Sequence, residues 1–445
     1  MRYFILLLFG LIFILTGCAK KLPSSTPSPT IGSIGREMTP DSHSDEIMPA
    51  PAPSPMIDAE SVAPPADVHP DRMIAESMTS SSSAEPMMIP IPQQAIQSGI
   101  LTAADIDDNL NLNYFQKYVN RVLQSTKENV FPFMSTKDRV KLTIEDTNGK
   151  GINRVKVKVG DFIGYTNSQG ILYLFPSVDK IPTQTTLELN GKSKPIDLST
   201  QKEFTITFNK TSSLPKSLDL MFVVDTTGSM GDEMRYLAKE FDAIVSNVKE
   251  KHPDVQIRFG LTLYRDKGDE YVIRNFEFTS DVKTMKEQFK KQSAKGGGDY
   301  PEAMEEGVEK ALEASWRAED GVRMMFLVAD APPHDENIKQ MVPIIELARE
   351  KGIHIYSLGA SGVAEKAEYI MRHLALFTQG RYLWLTDDSG VGNSHKEPKV
   401  NCYQVTRLDQ LISRVIQSEL SGKRIEADSD SILRTVGSYQ NGICQ

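Results

Sequence analysis

Apolar positions change their period three times along this chain, and each change predicts a different kind of element. In residues 217–421, short continuous apolar runs at 218–224, 257–264, 324–329, 353–358 and 382–385 alternate with stretches of helical spacing. Runs such as MMFLVA are what strands buried on both faces require. The stretch DEYVIRNFEF alternates instead and follows GLTLYRD after a short turn, which predicts an antiparallel edge strand. The expected fold class is α/β, a doubly wound, mostly parallel sheet with its ligands at the carboxyl ends of the strands.

Between residues 139 and 208 the period falls to two. VKLTIED, INRVKVKVG, GILYLFP, TLELNG and FTITF are separated by Asn-Gly and other glycine-containing turns, so a small β-sandwich is expected over 137–210. It has no histidine or cysteine and its acids are dispersed, which suits a rigid spacer or a packing partner. Residues 100–136 read as a short helical segment in which Tyr114, Phe115, Tyr118 and Val122 share a face. The group Asp105, Asp107, Asp108 and Asn109 lacks the glycine and glutamate of a calcium loop and reads as helix capping. Residues 18–99 show no period: fourteen of the 25 prolines fall between Pro23 and Pro92, and no aromatic lies between Ile14 and Asn113. A disordered Pro/Ser/Met-rich linker is expected, with a reach of about 50 Å as a flexible chain. Residues 422–445 form a C-terminal tail.

Composition narrows the possible partners. The net charge of −9 is spread over interleaved acids and bases, which argues against a nucleic-acid surface. At the N-terminus, the apolar stretch from Tyr3 to Leu15 falls short of the roughly 20 residues a bilayer span needs, so residues 1–17 read as a signal peptide. Leu15-Thr16-Gly17-Cys18 resembles the lipobox of bacterial lipoproteins, which implies lipid on Cys18, membrane tethering and a place in the bacterial cell envelope, at the outer membrane in a Gram-negative species. Setting Cys18 aside leaves Cys402 and Cys444, an even pair in a compartment where disulfides persist, and a bond between them is expected.

The first strand of the α/β region ends in MFVVDTTGSMGDEM, residues 221–234. The chain must turn between Thr226 and Ser229 before a helix starts near Gly231, which gathers the Asp225 carboxylate with the Thr227 and Ser229 hydroxyls. Hard oxygens at that spacing suit a small hard cation. These residues resemble the DxSxS metal motif of the von Willebrand factor type A family, with threonine keeping the middle hydroxyl. GGGDYPEA at 296–303 and FLVADAPPH at 326–334 stand in the positions of that family's second and third metal loops. The resemblance implies metal ligands Asp225, Thr227, Ser229, Asp299 and Asp330 around Mg2+, with Ca2+ or Mn2+ as alternatives. It also implies a protein partner whose Asp or Glu completes the metal shell, and binding without turnover. Three directly ligating acids would over-neutralise the ion, so one of them, Asp299, is expected to act through water. Glu302 reads as a helix-start residue and His334 as a rim residue. The sandwich resembles carboxypeptidase-regulatory or transthyretin-like modules. Two other readings remain open at this point: a metal-assisted hydrolase with Glu302 or His334 as proton acceptor, and an envelope-assembly subunit whose metal only braces the fold.

Overall fold

The computed structural model describes residues 99–126, 134–318, 321–390 and 394–445, apart from the side chain of Asp232. The signal peptide, Cys18 and nearly all of the expected linker lie outside them. Strand β1 (Thr102–Ile106) and helix α1 (Leu112–Ser125) come first, and the sandwich follows. Beyond it are β2 (Ser217–Asp225), α2 (Gly231–Lys251), β3 (Gln256–Tyr264), β4 (Ile273–Thr279), α3 (Val282–Lys290), α4 (Met304–Leu312), β5 (Val322–Ala329) and α5 (Met341–Glu350). The chain ends through β6 (His354–Gly359), α6 (Glu365–Phe377), β7 (Tyr382–Thr386), β8 (Tyr403–Arg407), α7 (Leu408–Ser421) and β9 (Arg434–Val436).

The main sheet has the order β4-β3-β2-β5-β6-β7-β1-β8-β9. Strands β3, β2, β5, β6 and β7 run parallel, which is the doubly wound fold the apolar runs predict. The edge strand β4 is antiparallel, as its alternation requires. Period-two geometry sends successive side chains of β2 to opposite faces. Leu218, Leu220, Phe222 and Val224 pack under α2 and α7, whereas Met221 and Val223 pack under α4, α5 and α6.

Two expected boundaries do not hold. Residues 100–136 are not a separate helical segment, because β1 lies between β7 and β8, antiparallel to both, with Thr102 opposite Thr386 and Arg407. Nor do Asp105 and Asp108 cap a helix. Asp105 pairs with Arg381 and Arg414, and Asp108 pairs with Arg372, all buried. Only Asp107 acts locally, accepting hydrogen bonds from the Asn109 and Leu110 amides. The tail, for its part, adds β9 to the sheet. It is held by the expected Cys402–Cys444 disulfide, with Cα atoms 5.3 Å apart. The Asn111 side chain bonds both the Gly442 carbonyl and the Cys444 amide. Replacing both cysteines by serine is expected to cost about 2–4 kcal/mol, chiefly by releasing the unfolded chain. Denaturant midpoints of the two proteins check this, and equal midpoints would reject it.

The sandwich pairs a three-stranded sheet (Ile171–Leu174, Val140–Glu145, Glu203–Thr207) with a four-stranded one (Phe162–Tyr165, Lys156–Val159, Gln184–Leu189, Lys192–Asp197). It packs on the amino-terminal edge of the parallel strands through charge. Arg154 of the sandwich pairs with Glu419 of α7, and Asp179 pairs with Arg349 of α5. Arg323, near the start of β5, stacks its guanidinium 4.8 Å from the Tyr165 ring centroid.

Candidate metal site at the carboxyl edge of the sheet

At the opposite edge β2 and β5, paired in parallel with Val224 opposite Val328, run out side by side. Asp225 is the last residue of β2 and Asp330 immediately follows β5. After Asp225 the chain makes one tight turn at Gly228–Met230 and enters α2. The Asp225 carboxylate accepts the Thr227 amide at 2.9 Å and the Thr227 hydroxyl at 2.7 Å, both through Oδ1. Thr227 Oγ1 lies 3.3 Å from Ser229 Oγ, and the Ser229 hydroxyl bonds in turn to the Asp330 carboxyl. Four of the five expected ligands, Asp225, Thr227, Ser229 and Asp330, thus form one continuous chain of oxygens.

Asp299 does not join them. It is exposed, and its charge acts on His334. The acid that faces inward instead is Glu302, a residue expected at a helix start; it is 3 % exposed. Its amide donates to the Pro332 carbonyl, tying the second loop to the third. The second loop is also tied to the first, because the Gly228 amide donates to the Gly296 carbonyl and the Lys295 amide to the Thr226 carbonyl. Gly297 has φ +73°, and a Cβ there would stand 2.8 Å from Glu302 Oε1 and 3.3 Å from Thr227 Cβ. The glycine run therefore lets the second loop close against Thr227 and Glu302 without strain. Both Asp299 and Glu302 lie within four residues of the glycine run; the turn of the loop, which spacing does not encode, decides which one faces inward.

Asp225 Oδ2, Asp330 Oδ1 and Glu302 Oε2 are buried at this edge without a hydrogen-bond partner, as is Glu233 Oε2 beside them. The Tyr264 hydroxyl lies against Asp225 but falls outside hydrogen-bond geometry. Burial and the neighbouring Asp330 raise the Asp225 carboxyl, and burial and Glu233 raise that of Asp330. Burial, then the charges of Asp225, Asp266, Asp330 and Asp269, push Glu302 up to about 9. Unsatisfied buried carboxylates destabilise one another, and oxygens of this type are the donors that hard divalent cations take. Among the described residues no three His, Cys, Asp or Glu side chains form a ligand cluster by themselves. The residues fit a hard ion only as a mixed set, two carboxylates with the Thr227 and Ser229 hydroxyls and solvent, which would balance a divalent charge without exceeding it.

The rim carries two further polar lines. His334 Nε2 is 2.7 Å from Asp266 Oδ1, so it is a rim residue bound to a neighbouring acid. Ser361 Oγ lies 3.1 Å from His395 Nε2, and His395 Nδ1 lies 2.8 Å from Asp387 Oδ1. That order resembles a nucleophile with its base and acid, yet the Ser361 hydroxyl also bonds Glu233 and the serine is buried. The line pins the loop after β7 to α2. Tyr300 is different, being 43 % exposed while its hydroxyl donates to the Asp330 carbonyl and accepts from the Ala364 amide.

Comparison with known proteins reaches the same region. A family model described as the von Willebrand factor A domain matches residues 219–391. Over 221 residues, 49 % of this chain, the protein is 24 % identical to the alpha-protein kinase vwkA of Dictyostelium discoideum, of which the match covers 35 %. It is 28 % identical over 120 residues to a putative ariadne-like RING finger protein of Acanthamoeba polyphaga mimivirus, covering 27 % of this chain and 12 % of that one. The chain therefore aligns with about a third or less of either relative. Among solved structures, the conserved hypothetical protein BatB from Bacteroides thetaiotaomicron aligns over 46 % of this chain and 99 % of its own, with a TM-score of 0.34 and 14 % identity. Such domains are protein-interaction modules. Together, the matched sequence and the parallel sheet with its strand-end acids identify residues 219–391 as a von Willebrand factor A domain.

Proposed function

We propose that this chain is an exported module, lipid-anchored in a bacterial envelope through Cys18, that captures a protein partner at the carboxyl edge of its sheet in adhesion or envelope scaffolding. Asp225, Thr227, Ser229 and Asp330 hold a divalent cation, Mg2+ before Ca2+ or Mn2+, and Glu302 acts on it through water. The observation that carries this reading is the set of buried, unpartnered oxygens on Asp225, Asp330 and Glu302. Bound there, the ion supplies a positive centre for a partner's Asp or Glu side chain. The hydroxyl ligands add no charge, so the centre is not over-neutralised. Tyr300 stands beside this edge as a half-exposed aromatic braced by the third loop, the type of residue that anchors interfaces.

Binding without turnover is part of the proposal. What supports it is that His334 is occupied by Asp266. The test is crosslinked capture from intact envelopes, with Mg2+ and with chelator, for the native chain and Asp225→Ala. Prey recovered equally from all arms would sink the metal-edge mechanism, and metal-dependent hydrolysis by the native chain alone would favour an enzyme.

A further inference from the structure

The seam between the sandwich and the α/β body opens into two neighbouring cavities, far from the metal edge. The larger, of about 640 Å³, lies between a sandwich turn carrying Lys150 and the segment after α7 carrying Lys423 and Arg424. The smaller, of about 340 Å³, meets it at Asn153 and is lined by Arg154, Lys210 and Lys216. Six cations thus line the two cavities against one carboxylate, Glu426, in a chain whose net charge is −9. Both arginines are already neutralised, Arg154 by Glu419 and Arg424 by Asp107 and Glu426. The four lysines, Lys150, Lys210, Lys216 and Lys423, have no carboxylate within ion-pair distance among the described residues.

We infer that this seam is a docking groove for an acidic, extended polypeptide segment of a partner protein. Lysines without carboxylate partners supply the charge complement. Two aliphatic side chains, Leu214 and Ile443, are 50 % and 42 % exposed and line the smaller and larger cavity respectively. They are placed to take apolar side chains from a segment whose acids meet the lysines. Asn153, Gln169 and Asn441 offer side-chain amides that can bond a peptide backbone. No aromatic ring lines either cavity, so a sugar ring finds no face to stack on. The concave, two-lobed shape also fits a single chain better than a flat bilayer.

The experiment is fluorescence anisotropy of a short labelled peptide alternating glutamate with leucine, added to the full-length chain, with parallel binding of phosphatidylglycerol vesicles and of dextran sulfate. Lys216→Glu with Lys423→Glu is expected to weaken the peptide at least about tenfold, since each reversal replaces an attraction by a repulsion. Leu214→Ser with Ile443→Ser is expected to weaken the glutamate–leucine peptide and leave a glutamate–serine peptide unaffected. Chelator is expected to change neither result, which separates this groove from the metal edge. No peptide binding, or binding that ignores the lysine reversals in a folded protein, overturns the inference. Lysine-dependent binding of vesicles or dextran sulfate without the peptide also overturns it, in favour of a lipid headgroup or an acidic glycan.

Discussion

Magnesium added to metal-free protein is expected to raise its melting temperature by about 5–10 °C at a hundredfold excess over Kd, and Asp225→Ala is expected to abolish the rise. The magnitude follows from linkage: such an excess stabilises the folded state by about 2.7 kcal/mol, and a domain of this size shifts by roughly 2–4 °C per kcal/mol. The pH dependence has a definite sign. The carboxyls of Asp225, Asp330 and Glu302 are raised above their ordinary values of 3.8, 3.8 and 4.5, so the folded state holds protons that the unfolded chain has released. Their contribution is fully present below those ordinary values. It is lost as pH rises through the raised ones, up to about 9 for Glu302. Metal-free protein should therefore melt higher near pH 5 than near pH 8, and saturating Mg2+ should remove most of that difference. Asp299→Asn should leave the Mg2+ response nearly intact, whereas Glu302→Gln should alter it. A thermal scan in which Asp299→Asn, and not Glu302→Gln, changes the response would reverse the assignment of the third acid.

The second large effect belongs to the seam. Glu419→Ala is expected to destabilise the protein by about 3–5 kcal/mol, because it leaves the buried Arg154 guanidinium without its counter-charge. Arg154 already bonds His354 Nε2 at 2.9 Å, and Tyr356 donates to Glu419 at 2.7 Å, so nothing nearby can take over the role. Replacing the pair together, Arg154→Met with Glu419→Leu, should recover most of the loss, since no charge is then stranded. Equilibrium unfolding in urea measures both, and a double variant as unstable as Glu419→Ala would show that the ion pair itself stabilises the seam. Acid acts through the same cluster. Burial and Arg154 lower His354 to about 4 from 6.5, so below 6.5 the unfolded chain gains a proton that the folded one refuses. Burial alone would raise Glu419, but Arg154 and His354 hold it well below the usual carboxylate range. Its contribution is present above about 4.5 and fades as pH falls through the lowered value. The seam should loosen on acidification just where the metal edge is relieved.

The carboxyl edge is destabilised by its own buried carboxylates, which is why a cation and an anionic side chain are proposed there. The seam is closed by charge pairs already complete, with only its lining lysines left for a partner. An acidic segment in the seam and an acidic side chain at the carboxyl edge would lie at opposite ends of the parallel strands.

Much of the α/β fold was legible in the chain alone. Strands buried on both faces must be continuous in apolar residues, and the five runs beginning with 218–224 mark β2, β3, β5, β6 and β7 to within about two residues. Asp225 and Asp330 follow directly, because a parallel sheet presents whatever ends its strands along one edge. Tertiary structure alone decided three other points. Strand β1 reads TAADI, with too little β-propensity and a buried Asp105 that only Arg381 and Arg414, more than 270 positions away, make tolerable. The tail becomes a strand because β8 offers it an open edge and a disulfide holds it there. Which of Asp299 and Glu302 turns inward depends on how a glycine loop closes against Thr226 and Pro332, through backbone hydrogen bonds that carry no side-chain signal. Local sequence sets period and strand ends, whereas charge pairing and loop closure over long separations exist only once the chain has folded.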